Sequence, residues 1–272
     1  MSDSSVSPPT QSDDPIFSLP PAGRADISSV VVMALAKSGS VLLENIVREM
    51  AAEVGITPYS PDGDLWKQGI PLKDAPRDIE SVFKETGYCF GVFRLASRSY
   101  SIPILDTHRS VLQIRDPRDI LVSLYFSLTQ SHPRPPTESK LSSSFDRSRQ
   151  QALGSTIDEY ALDRSRWVKN RFDEVNALLE YPLCRVFRYE DIIFEKTQWT
   201  KDLARHFGWN ELGSRYLKDL ATKHDIRPKV EQPDAHIRSV TPGDHRRKLK
   251  VETINKLNET FAPILEQFGY DD

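Results

Sequence analysis

Apolar residues along this chain fall into two kinds of run. Short, largely apolar stretches with β-branched residues occur at 29–36, 88–95, 110–115 and 184–190, each predicting a strand buried on both faces. Between and after them, apolar positions three and four residues apart predict helices over 40–54, 77–86, 157–179, 196–207 and 247–268. Asp116 and Pro117 stand as N-cap and first helical residue of a further helix behind the third strand. The stretch 57–76, rich in Pro, Gly and Asp, predicts a loop, and "SHPRPPTESKLSSSFDRS" (131–148) a mobile lid. Residues 1–26, dominated by Ser, Pro and Asp, predict a disordered tail ahead of a single domain over 27–272. Strands that alternate with helices, apolar on both faces, predict an α/β fold: a three-layer sandwich around a mainly parallel sheet.

In such sheets ligands sit at the carboxyl ends of strands. There the first apolar run breaks at Lys37-Ser38-Gly39-Ser40 before helical spacing resumes. A strand, a tight loop with glycine and a helix start aim several N–H groups at one spot, and Lys37 adds a full charge. That combination suits a phosphate-like anion. A plain turn with an exposed lysine has the same four residues. The nucleotide-triphosphate loop GxxxxGK[ST] is not matched, because Lys37 precedes Gly39 and the earlier glycine is missing.

Bulk composition narrows the partners. Lys and Arg total 36 against 39 Asp and Glu, a net charge of −3, which argues against a nucleic-acid or anionic-membrane surface. Any basic site must be a local pocket. Cys89 and Cys184, without CxxC spacing or a nearby histidine cluster, read as buried reduced thiols, and no metal ligand set is apparent. No apolar run is long enough for a membrane span, and the N-terminus lacks the pattern of a signal peptide. A cytoplasmic protein is expected.

The loop and three later segments resemble the sulfotransferase family that uses 3′-phosphoadenosine 5′-phosphosulfate (PAPS). "AKSGSVL" (36–42) is similar to the family's "PKSGTTW" loop, which wraps the 5′-phosphosulfate; "IRDPRDILVSLYFS" (114–127) follows its "RxPxDxxxSxYxF" segment; Tyr189-Glu190-Asp191 gives its "YED"; and "RSVTPGDH" (238–245) keeps Arg238, Gly243 and Asp244 of its "RKGxxGDW". The resemblance implies a P-loop-like sulfotransferase fold and PAPS as sulfuryl donor, with no metal. It implies that Lys37, Ser38, Gly39, Ser40, Val41 and Leu42 hold the phosphosulfate. Arg115, Ser123, Arg238 and Ser239 would hold the 3′-phosphate, and Tyr189 would lie near the adenine. Lys37 would neutralise charge on the bridging oxygen, and Arg94, standing for a family lysine, would stabilise the sulfuryl oxygens. A forked guanidinium, a hydroxyl and a second guanidinium are chemically apt for a dianion.

The departures bear on chemistry. Ala96 stands where many small-molecule members have their general-base histidine, Leu42 replaces the loop tryptophan, Val41 a loop threonine, and His245 the tryptophan of "GDW". A replacement base could be His132, Glu44, Asp62 or Asp64; alternatively the acceptor is itself nucleophilic, such as a neutral amine. The expected partner is a small molecule bearing a hydroxyl or amine. Two other readings share the same residues: a P-loop small-molecule kinase, and a nucleotide-binding interaction module without catalysis.

Overall fold

The computed structural model describes residues 15–94, 100–131, 133–135, 139–228 and 240–270. Five strands form one sheet: β1 (Val30–Ala34), β2 (Thr57–Tyr59), β3 (Tyr88–Phe93), β4 (Ser110–Ile114) and β5 (Cys184–Arg188). Their order is β2-β3-β1-β4-β5 and every pairing is parallel. Central β1 is flanked by β3 and β4, so the chain leaves it at the place where strand order turns outward in both directions.

The period of two along each strand decides the layers. Val31, Met33, Phe90, Leu112 and Ile114 face one core, shared with apolar residues of α3 (Pro117–Phe126), α5 (Ile157–Leu179) and α10 (Val251–Phe268). Val30, Val32, Ala34, Cys89, Val111 and Phe187 face the other, against α1 (Ser40–Val54), α7 (Lys196–Phe207) and α8 (Ser214–Lys223). The three-layer α/β sandwich expected from the alternation is the observed architecture.

Helices α1, α5 and α7 begin and end as their spacing predicts. Other segments differ. The 57–76 stretch is not wholly a loop: it opens with edge strand β2 and continues into α2 (Pro61–Lys67), where Ser60 Oγ caps the N–H of Gly63 and Pro61 takes the first helical position. The expected lid carries α4 (Lys140–Leu153), closed at its start by a capping box between Ser139 and Ser142. Residues 77–82 form a 3₁₀ helix. The last predicted helix is two, α9 (Asp244–Lys248) and α10, separated at Leu249 and Lys250. Helix α8 went unpredicted.

The expected disordered tail also ends earlier than Asp26. Ile16, Pro20 and Pro21 carbonyls accept bonds from Gln68, Tyr88 and Thr57, and Phe17 and Leu19 pack on the core. Residues 1–14 of that tail lie outside the described residues. Both cysteines are free, Cys89 fully buried and Cys184 only partly. Among the described residues, no helix is long and apolar enough to cross a membrane.

Candidate active site

The turn between β1 and α1 is held from three sides. Ser38 N–H donates to the Leu35 carbonyl at 3.2 Å, and its hydroxyl lies 2.7 Å from the same oxygen and 3.1 Å from that of Gln113. Ser38 is fully buried, so both its donors are spent bracing the loop. From β4, the Gln113 side-chain amide donates to the Ser38 carbonyl. Gly39 follows with φ +85°, and a Cβ there would meet the Gln113 amide and the Tyr189 ring at 3.0 Å. Glycine is required by both conformation and space.

Helix α1 then starts without a side-chain cap and without an acidic residue in its first turn. The first intrahelical bond runs from Leu43 N–H to the Gly39 carbonyl, so the N–H groups of Ser40, Val41 and Leu42 have no acceptor inside the helix. These groups and the helix dipole give the turn a positive end suited to an anion. Lys37 sits at its head with φ +69°, the one non-glycine residue in the left-handed region among the described residues. Such a conformation costs on the order of 1–3 kcal/mol and is held only where the surroundings fix it.

Arg115 supplies part of that fixing. Its Nη1 donates to the Lys37 carbonyl at 3.3 Å, and its guanidinium stacks 4.5 Å from the Tyr189 ring centroid. Its Nη2 donates to Asp119 at 3.1 Å, while its Nε, buried, has no partner among the described residues. Asp119 is a hub. One oxygen also accepts the Gly243 N–H at 2.9 Å; the other accepts the His245 N–H at 3.0 Å and lies 2.8 Å from His245 Nδ1. Burial pushes the Asp119 carboxyl up, but the His245 hydrogen bonds and the Arg115 charge outweigh it and hold the group well below the usual carboxylate range. Ser123 is one turn beyond Asp119 on α3 and shares its face. Tyr189, first residue of the short helix α6 (Tyr189–Ile192), closes the cluster: its hydroxyl donates to the Val240 carbonyl at 3.0 Å, and burial pushes it up to about 12.

No family model matches the sequence, and no curated protein matches it at the level of sequence. Solved structures do match. Mouse sulfotransferase SULT7A1, crystallised with PAP (3′-phosphoadenosine 5′-phosphate), aligns over 88% of this chain and 85% of its own, with TM-score 0.59 and 13% identity. Retinol dehydratase, crystallised with retinol and PAP, aligns over 92% of this chain and 83% of its own, with TM-score 0.53 and 16% identity. This chain has the sulfotransferase fold.

Within that sulfotransferase fold, Arg94 follows β3 and reaches the loop from the other side. Its Nε donates to Ser40 Oγ at 3.2 Å and its Nη2 to Glu44 at 3.0 Å. Glu44 is thereby the counter-ion of Arg94, with Arg48 a further 3.9 Å away. Asp64 accepts from the Tyr59 hydroxyl at 2.9 Å and from Lys67 at 3.2 Å, which ties it to β2 and its own helix. Asp62 has different surroundings: it accepts from the Tyr100 hydroxyl and lies near Arg94. Desolvation pushes its carboxyl up to about 6, against the opposing pull of Tyr100 and Arg94. Four positions singled out in the sequence, Arg238, Ser239, His132 and Ala96, lie outside the described residues.

Lys37, Gly39, Ser40, Arg94, Arg115 and Tyr189 are therefore brought to one end of the sheet. Sequence reasoning gave no role to Gln113, Asp119, Glu190 or His245. Glu190 accepts the Asp116 N–H at 3.0 Å and anchors the strand end that carries Arg115. A lone glutamine in the buried run "SVLQIR" and an aspartate four residues after Arg115 were the available signals.

Proposed function

We propose that this chain is a sulfotransferase that moves a sulfuryl group from PAPS to a hydroxyl or amine of a small molecule. The observation that carries the reading is a pair of anion-seeking ends joined by one residue. The uncapped first turn of α1 lies beside Lys37, and the Nε of buried Arg115, without a partner among the described residues, lies on a guanidinium that itself holds the Lys37 carbonyl. A nucleotide with phosphates at both its 5′ and 3′ positions fits donors at two such places. The PAP-bound structures of the same fold support the choice of nucleotide.

When bound, PAPS supplies an activated sulfuryl group whose leaving group is a phosphate. The chain's part is positioning and charge stabilisation. The N–H groups of Ser40, Val41 and Leu42 bind the 5′ end; Arg115 and Ser123, with Arg238 and Ser239, bind the 3′-phosphate. Lys37 balances the charge that grows on the leaving oxygen, and Arg94, held by Ser40 and Glu44, faces the sulfuryl oxygens. Ser38 and Gln113 keep the loop in shape, and Tyr189 walls the nucleotide side.

PAP is expected to raise the melting temperature of the protein far more than AMP or ATP; equal responses would contradict the site. Charge-assisted bonds are worth about 1.5–3 kcal/mol each. Arg115→Ala should therefore weaken PAP roughly 10- to 150-fold in calorimetry, and AMP, which lacks the 3′-phosphate, by less. Unchanged PAP affinity would show that Arg115 is not a ligand of the 3′-phosphate.

A further inference from the structure

Asp62 has a placement that its sequence neighbourhood does not announce. It belongs to α2, 26 residues before the start of β3, yet its carboxyl lies close enough to Arg94, just past the carboxyl end of β3, to feel that residue's charge and backbone amide. The side chain of that same arginine donates to Ser40 Oγ in the loop. Arg94 therefore neighbours Asp62 while its guanidinium reaches the first turn of α1. The second partner, Tyr100, donates its hydroxyl to Asp62 and has its ring packed beside Phe83 and Phe93. That apolar wall keeps the carboxyl poorly solvated and fixes its direction.

The other acidic residues near this end are already committed. Glu44 is the ion-pair partner of Arg94, and Asp64 is bound by Tyr59 and Lys67. Asp62 is held by a neutral hydroxyl, which does not neutralise its charge. Its nearest cation, Arg94, has its guanidinium engaged by Glu44. A carboxylate so placed keeps its basicity.

We infer that Asp62, oriented by Tyr100, is the general base that deprotonates the acceptor. The inference rests on the sulfotransferase reading above. In the step, the acceptor O–H or N–H proton passes to the Asp62 carboxylate as the acceptor atom bonds to sulfur. The bond from sulfur to the donor's bridging oxygen breaks, its electron pair stays on the departing 5′-phosphate, and Asp62 then releases the proton to water. No oxidant or reductant takes part. Ala96, at the position of the family's histidine, is consistent with a base delivered from another element.

The proposal predicts an activity that rises with pH. Raised by burial to about 6, the carboxyl is protonated and idle below that pH and competent above it. Tyr100 lowers the Asp62 pKa, so its removal should move the rise to higher pH. The test follows PAP release from PAPS with 2-naphthol, benzyl alcohol, aniline or water as acceptor, in wild type, Asp62→Asn and Tyr100→Phe. Asp62→Asn should lose about 10²–10⁴ in kcat and the acid limb of the profile, while PAP still raises its melting temperature as in wild type. Tyr100→Phe, which loses the hydroxyl that orients Asp62, should turn over more slowly than wild type but faster than Asp62→Asn, with the limb displaced upward. Independently of turnover, the ¹³C-labelled Asp62 carboxyl should titrate near 6 in wild type and higher in Tyr100→Phe.

Asp62→Asn with wild-type kcat, an acid limb that survives in it, or a carboxyl titrating near the ordinary value of about 4 would overturn the role. So would a wild type that PAP stabilises but that consumes no PAPS with any of these acceptors; the cofactor reading would then stand alone. A wild type that PAP does not stabilise removes the sulfotransferase reading, and this proposal with it.

Discussion

Lys37→Ala is expected to abolish sulfuryl transfer while leaving the protein folded and able to bind PAP. In transfers of this type the protein contributes mostly charge and position, and the largest charge change falls on the leaving oxygen. Lys37 heads the loop that points N–H groups at one place, in a backbone conformation that lysine does not adopt without support. The loop's bracing does not run through the lysine side chain. Ser38 is held by Leu35 and Gln113, Gln113 clamps the Ser38 carbonyl, and Arg115 holds the Lys37 carbonyl oxygen. Alanine at 37 should therefore leave the turn in place and remove only the ammonium. A loss of about 10³ or more in PAP release from PAPS is expected, since one preorganised donor alone is typically worth about 10²–10³. PAP-induced stabilisation should remain substantial. Turnover within tenfold of wild type would remove Lys37 from the chemistry.

The second large effect concerns stability. Asp119 accepts from Arg115, Gly243 and His245 and is fully buried, so it joins α3, the end of β4 and the start of α9. Asp119→Ala leaves the Arg115 guanidinium buried without its counter-charge, and breaking one partner of a buried pair costs about 3–5 kcal/mol. Urea denaturation at pH 7 should show a loss of that size. The pH dependence gives a check with a definite sign. The folded-state pKa of Asp119 is depressed, so its contribution is fully present above the unfolded value near 4 and is lost as pH falls through the folded one. The gap between wild type and variant should accordingly narrow below about pH 4. A gap under 1 kcal/mol at pH 7, or one that widens in acid, would refute the hub.

How far the sequence could be read depended on whether the signal was local. Helix α5 is long, amphipathic and opened by a Thr-x-x-Glu capping box, and its limits follow from those residues alone. Strands β1, β3 and β4 announce themselves as apolar runs because both faces are covered, whereas β5, at the sheet edge, buries only Phe187 rather than both faces as its run predicted. Short β2 carries a proline and only one buried residue, so it reads as loop. Helix α2 was obscured by its own composition: Pro61, Asp62 and Gly63 look like a turn, although Ser60 followed by proline is also a helix start. The site divides in the same way. Its loop, Arg115 and Tyr189 stand in ordered motifs, whereas the contacts from Gln113 to Ser38 and from Asp62 to Tyr100 and Arg94 join residues tens of positions apart. Only folding brings those together, and no spacing rule contains them.

The central claim is that the β1–α1 turn and Arg115 together hold one nucleotide by its two phosphate ends. A crystal structure with PAP tests it most directly. The 5′-phosphate should accept the N–H groups of Ser40, Val41 and Leu42 beside Lys37, and the 3′-phosphate should accept Arg115 Nε. A nucleotide bound elsewhere, or bound here with its 3′-phosphate turned away from Arg115, would contradict the account.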